Sequence, residues 1–301
     1  MYLRRVKGFK WIPNALTMGN LLGGVVVCWS IVRGPDWGVG GLRAWELSEG
    51  SWAEEARHWD LAELQGEGMI WIAGVWLLAV LFDVFDGWAA RKLGVAGPMG
   101  VQLDSLADVV TSGVAPAIVG VTLLHSWAPA LPEIVQWLPL TMAAAAAYRL
   151  ARFNVSAADP EDNRFGFEGM PAPAGALWWW AILLLAAHYS IYGSPGLYGT
   201  GGLAYAGVAM LIGATVIPWM MVSRRRMMDL KSWGKSRAYD RFRLAYFAVA
   251  VVLGVAAAIF AEAWPMGVLA ALLLYLIWSR FGQTHFRPPP TTQHHEIQRL
   301  D

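Results

Sequence analysis

Four aspartates stand at spacings suited to joint chemistry: Asp83 and Asp86 close one apolar run, and Asp104 and Asp108 open the next. On a helix, the i, i+3, i+7 spacing of Asp83, Asp86 and Ala90 puts them on one face, and the i, i+4 spacing of Asp104 and Asp108 puts those two on another. The connection is short, so the two helices are expected to be antiparallel neighbours whose four carboxylates converge. An ionised Asp within a membrane helix costs roughly 2.5 to 3.5 kcal/mol, so four cost on the order of 10 before their repulsion is added. A hard divalent cation offsets such a cost, and four carboxylates suffice for two Mg²⁺ or Mn²⁺ ions. The cluster contains no histidine, which argues against zinc. Beside it, Gly87 and Ala90 leave room for a flat or phosphorylated group, and Arg91 offers phosphate a planar fork.

The elements that must position these residues are membrane helices. Of 301 residues, 56% are hydrophobic and only 15% charged, far more apolar than an ordinary soluble domain. Runs long enough to cross a hydrocarbon core of about 30 Å are predicted at Ile12–Val32, Met69–Ala90, Val101–Leu124, Ile134–Ala151, Ala172–His188, Gly202–Met221, Leu244–Phe260 and Trp264–Trp278. The fold class is therefore all-α, a polytopic bundle of about eight helices. The basic N-terminus leads into a full span without a cleavage site, so the first helix is expected to be retained. One catalytic domain is expected over 1–280, with a tail at 281–301 too polar and proline-rich to pack.

Charge sets the orientation. Twenty of the 23 Lys and Arg residues fall on one side of that helix count, eight of them between Arg224 and Arg243. The positive-inside rule then places both termini in the cytoplasm of an inner membrane, an acidic loop (34–68) outside and a basic segment (222–243) inside. All four aspartates come to lie at cytoplasmic helix ends, where a lipid headgroup meets the aqueous phase. The basic segment reads as a topology determinant with affinity for anionic headgroups. The net charge of +1 says nothing by itself about a polyanionic partner, since in a membrane protein the distribution of charge matters more than its sum; no nucleic-acid partner is expected. The single cysteine, Cys28, lies in an apolar run and reads as packing. Trp11, Trp127, Trp137 and Trp264 suit the interfacial belt, and Gly23 and Gly24 suit close helix packing.

Asp83-x-x-Asp86-Gly87-x-x-Ala90-Arg91, eight residues, then Gly100-x-x-x-Asp104-x-x-x-Asp108 resembles the signature of the CDP-alcohol phosphatidyltransferase family, with every fixed position filled. Pro13 to Asn20, Leu106 to Pro116, Arg149 to Asn154 and Phe167 to Pro173 look like the membrane-bound phosphatidylserine synthases. One position differs, Met170 standing where that group has leucine, a volume-conserving change. The resemblance implies that Asp83, Asp86 and Asp104 bind two divalent ions, Mg²⁺ or Mn²⁺, and that Asp108 is near both and acts as general base. It implies that Gly87, Ala90, Arg91 and Gly100 line the site for the CDP of CDP-diacylglycerol, and that the protein is a homodimer. The reaction implied is attack of the L-serine hydroxyl on the lipid-bearing phosphate, with release of CMP. Ser105, the neighbour of Asp104, should point off the carboxylate face, which favours direct displacement. Asn14 and Thr17 are further candidates to touch nucleotide, and Arg149, Arg152 and Asn154 to clamp the serine carboxylate.

Other readings compete. Arg149 and Arg152 would look the same as snorkelling residues at a helix end. The same phosphoryl transfer to glycerol 3-phosphate or inositol phosphate would call for more cationic residues near the site; relatives of that kind are expected to carry arginine where Asn20 follows Thr17. A carboxylate-lined ion transporter would continue polar residues toward the outer face, but the chain is mostly apolar from Asp108 to Leu124.

Overall fold

The computed structural model describes residues 11–33, 66–95, 97–156, 167–192, 199–228, 237–260 and 264–285. They form α1 (Ile12–Arg33), α2 (Gly66–Leu93), α3 (Pro98–Val109), a π-helical segment (Val110–Val114), α4 (Ala115–Trp127), α5 (Glu133–Gln136), a 3₁₀ turn (Leu138–Leu140) and α6 (Thr141–Ser156). After these come β1 (Phe167–Glu168), α7 (Ala172–Tyr192), α8 (Gly199–Val222), β2 (Arg226–Met227), α9 (Arg237–Phe260) and α10 (Trp264–His285). Helix occupies all eight expected positions. Six stretches among the described residues are long and apolar enough to cross a membrane: α1, α2, α3 running through α4, α7, α9 and α10. The protein is a multi-pass membrane protein.

The fourth span departs from expectation. Instead of one helix over Ile134–Ala151, the chain makes one turn at α5, a 3₁₀ turn, and then the 16-residue α6. Pro139 is the cause: it has no N–H to give a continuous helix and its ring crowds the preceding turn. At the other end, α10 continues to His285, five residues into the expected tail; the acidic loop through Gln65 and the rest of the tail lie outside the described residues.

The chain divides into two compact units. The first holds residues up to Ala151 together with Met170–Val222. Its centre is α7, which is apolar all round and buried on nearly every side, as a helix enclosed by others must be. Two indoles tie it to neighbours: Trp180 donates to the Ala73 carbonyl of α2 at 2.9 Å and Trp178 to the Ala209 carbonyl of α8 at 3.0 Å. Helix α1 buries one stripe, Pro13, Thr17, Asn20, Gly24, Val27 and Ile31, and small residues let it approach closely. A Cβ on Gly23 would stand 2.6 Å from the Ala79 Cβ of α2, and one on Gly24 2.6 Å from the Thr111 Cγ2.

The second unit holds Arg152–Gly169 and the chain from Ser223 on. Strands β1 and β2 pair antiparallel, with Phe167 opposite Met227 and Glu168 opposite Arg226. Helices α9 and α10 form a hairpin whose tightest point is Gly267, where a Cβ would lie 2.6 Å from the Gly254 Cα. Tyr275 donates to the Met228 carbonyl at 2.8 Å and Trp278 to the Phe242 carbonyl at 3.1 Å. Arg243 is fully buried here, 3.3 Å from Asp240 and stacked over the Tyr239 ring at 4.4 Å. One cation of the basic segment is thus an interior structural group, while Arg224, Arg225, Arg237 and Arg241 stay exposed.

Substituting Gly23 by valine forces α1 off α2 and is expected to cost about 1 to 3 kcal/mol, read as a lower thermal midpoint of the purified protein. Gly207→Ala, where an added Cβ meets nothing within 4 Å, should leave the midpoint unchanged or slightly raised.

Candidate active site

The site is built around one tight reversal. Helix α2 ends in a Schellman motif: Gly94 adopts φ +63°, its N–H reaches the Arg91 carbonyl at 3.3 Å, and the Val95 N–H reaches back to Ala90 at 3.1 Å. Glycine is required at that left-handed position. Pro98 then starts α3, where a missing N–H costs nothing. The two helices leave this turn as antiparallel neighbours.

Asp83, Asp104 and Asp108 converge across the pair, each offering a carboxylate oxygen, all within 4.8 Å of one another and each half-buried. Asp86 does not join them. A spacing of three residues leaves it about 60° round the helix from Asp83, and this turns it into α1, where the Thr17 hydroxyl meets its carboxylate. Both residues are buried, and the Thr17 oxygen also lies 3.0 Å from the Pro13 carbonyl. With a single hydroxyl proton, Thr17 serves one of these acceptors at a time.

The oxygens of an octahedral shell about 2.1 Å from a small divalent ion stand roughly 3 to 4 Å apart. Three carboxylates within 4.8 Å therefore need only small side-chain rotations to share one ion, and an all-oxygen donor set suits Mg²⁺ or Mn²⁺. Along α2, Gly87 follows Asp83 by one turn and Arg91 by two. A Cβ on Gly87 would lie 3.3 Å from an Arg91 guanidinium nitrogen, so the exposed arginine folds back over the notch that glycine leaves. Across from it, Asn14 of α1 faces Gly100 at the start of α3. Ala90 is half-buried beside this column. Ser105 donates to the Val101 carbonyl of its own helix at 3.0 Å, away from the carboxylate face as its position next to Asp104 requires.

What fixes α3 against α2 was not visible in the motif. Directly after Asp108 the helix widens into the π segment, where the Ala115 N–H bonds Val110 five residues back. The next donor in that register would be residue 116, a proline, which has no N–H to give the Thr111 carbonyl. Trp76 of α2, itself buried, supplies it: its indole N–H donates to Thr111 at 2.9 Å. The clue in the sequence was Pro116, which must disturb any helix that runs through it.

The candidates for serine separate. Gly113 packs on Ala143 and Ala146, and Gly120 on Pro139, so α6 runs antiparallel to α3 and α4, and buried Arg149, one turn past Ala146, comes level with Asp108. Arg152 and Asn154 belong to the second unit. There Arg152 donates to the carbonyls of Glu168 and Ser223 at 3.3 and 3.1 Å, with the Glu168 carboxylate 4.0 Å from its Nε; it braces β1. Asn154 is half-exposed.

The fold and site define a multi-pass membrane protein that gathers three carboxylates able to hold a metal ion close to a glycine notch and an arginine. Residues 10–219 match the family model for CDP-alcohol phosphatidyltransferase, and the chain belongs to that family. It is 40% identical over 100 residues to the CDP-diacylglycerol–serine O-phosphatidyltransferase of Methanocaldococcus jannaschii, covering 33% of this chain and 44% of the relative. It is 35% identical over 135 residues to the Bacillus subtilis protein of the same name, covering 44% of this chain and 68% of that one. The archaetidylserine synthase of Methanothermobacter thermautotrophicus is 40% identical over 104 residues, 34% of this chain and 41% of its own length. The matched stretch thus spans less than half of two of these three relatives.

Trp76→Phe keeps an aromatic ring and removes the donor to Thr111. Leaving that buried carbonyl unpaired is expected to cost about 1 to 3 kcal/mol, measurable as a lowered thermal midpoint.

Proposed function

We propose that this protein transfers the phosphatidyl group of CDP-diacylglycerol to the hydroxyl of L-serine, giving phosphatidylserine and CMP. The observation that carries the proposal is the convergence of Asp83, Asp104 and Asp108 within 4.8 Å next to the Gly87 notch and Arg91. Serine is supported as acceptor by the matched relatives, whose names specify serine or archaetidylserine.

Asp83, Asp104 and Asp108 are the groups that would hold a divalent cation, Mg²⁺ or Mn²⁺; the second ion implied by the family resemblance would need the Asp86 carboxylate to leave Thr17 and join them. When bound, such ions neutralise a pyrophosphate and the charge that develops on a departing phosphate. The chain's own residues do the rest. Gly87, Ala90 and Gly100 leave space for the nucleotide, Asn14 and Thr17 border it from α1, and Arg91 pairs with phosphate oxygens. The serine hydroxyl oxygen attacks the lipid-bearing phosphorus, the bond from that phosphorus to the CMP oxygen breaks, and Asp108 accepts the serine proton. Buried Arg149, level with Asp108, is the anchor for the serine carboxylate. Arg152 and Asn154 are the weaker candidates, since the Arg152 fork already serves β1. The positive-inside distribution supports a site facing the cytoplasm of an inner membrane with both termini on that side, and the family resemblance supports a homodimer.

Purified protein given CDP-diacylglycerol and Mg²⁺ or Mn²⁺ is expected to release CMP with serine and not with glycerol 3-phosphate; turnover with glycerol 3-phosphate alone would reject serine as the acceptor. Asp108→Asn should lower kcat about 10²- to 10⁴-fold, read as CMP release at saturating CDP-diacylglycerol, serine and Mg²⁺. Arg149→Met should raise the KM for serine by at least about tenfold, the loss of one charge-assisted bond, and leave the KM for the nucleotide lipid near that of the parent.

A further inference from the structure

The buried stripe of α1 carries one residue whose polar groups nothing nearby answers. Asn20 is fully buried, and neither its carboxamide nitrogen nor its oxygen has a hydrogen-bond partner among the described residues. A carboxamide brings two donors and an acceptor, and burying it unpaired is costly. A native interior rarely tolerates such a group unless something polar binds there.

Its height in the bundle follows from its neighbours. On the α2 side, Thr17 meets Asp86, Gly19 lies under the Phe82 ring and Gly23 against Ala79. Asn20 therefore comes level with Phe82 and Asp83. On the other side, Asn14 faces Gly100 and Gly24 lies against Val110 and Thr111, which brings Asn20 level with Ala107 and Asp108. It enters from α1 at the height of two of the three converging carboxylates. Phe82, Ala79, Ala107 and Val110 offer it no polar side chain, and the charged groups at that level are Asp83 and Asp108, with Arg149 entering level with Asp108 from α6.

We propose that Asn20 is a positioning residue of the cation site: its carboxamide hydrogen-bonds the water shell of a divalent ion held by Asp83, Asp104 and Asp108. The proposal rests on the cation reading given above. Mg²⁺ dehydrates reluctantly and keeps several waters when few carboxylates hold it. Water hydrogens reach the Asn20 oxygen, and its N–H groups reach water or carboxylate oxygen. Outer hydrogen bonds of this kind commonly change metal affinity by 10- to 100-fold.

Asn20→Leu keeps the volume and removes both polar functions. The full-length protein in micelles is titrated with Mn²⁺, followed by the paramagnetic resonance signal of the free ion, and its thermal midpoint is measured in EDTA. The variant is expected to bind Mn²⁺ at least about tenfold more weakly, while its midpoint in EDTA equals or exceeds that of the parent, because no unpaired buried amide remains. A merely structural asparagine would show the reverse pattern. Parent-like Mn²⁺ affinity in the variant overturns the inference, and so does a fall of its midpoint in EDTA. A parent protein that takes up no Mn²⁺ removes the cation reading itself, whereas a parent that binds and a variant that binds equally removes only the role of Asn20.

Discussion

Three carboxylates brought within 4.8 Å of one another repel by about 3 kcal/mol per pair at an effective dielectric near 20, and much of the first unit is arranged to hold them there. The Schellman turn at Gly94 sets α2 and α3 side by side. The Trp76 indole ties α2 to the backbone just past Asp108. Close approaches at Gly23 and Gly24 bring α1 against α2 and the π segment, and those at Gly113 and Gly120 bring α6 and α7 against the π segment and α4. A cation bound between the three carboxylates would relieve that repulsion.

The same economy governs where polar atoms go. Inside a bilayer no water is at hand to satisfy a stray carbonyl, so each irregularity in a helix must be met by a side chain. Trp76, Trp178 and Trp180 each give an indole N–H to a carbonyl of another helix. In the second unit the Trp278 indole does the same for Phe242 of α9, and the Tyr275 hydroxyl donates to the Met228 carbonyl just past β2. Tryptophan suits the task because it fills volume as it donates.

Much of this was legible in the sequence. Apolar runs gave the places of the helices because span length is set by the bilayer, and the aspartate spacing singled out the residues that meet. Three features were harder to read. A separation of three residues leaves a 60° offset, and only the position of α1 decides that Asp86 spends it on Thr17. The π segment depends on the backbone register around Pro116, which no side-chain pattern reports. Arg152 and Arg149 look alike as neighbours on one helix, yet one braces a strand and the other is buried level with Asp108, a difference made by residues distant in the chain. Trp76 and Trp178, unlike the exposed Trp11 and Trp137, work in the interior; tryptophan count alone does not separate the two uses.

The turn at Gly94 also explains a number. Eight residues separate Arg91 from Gly100: Lys92 and Leu93 finish α2, Gly94 makes its left-handed turn, and Pro98 and Met99 begin α3. The gap is therefore a ruler: it holds the end of one helix and the start of its antiparallel neighbour. One residue more would have to bulge from the turn or rotate α3 by about 100° on its axis, carrying Asp104 and Asp108 away from Asp83.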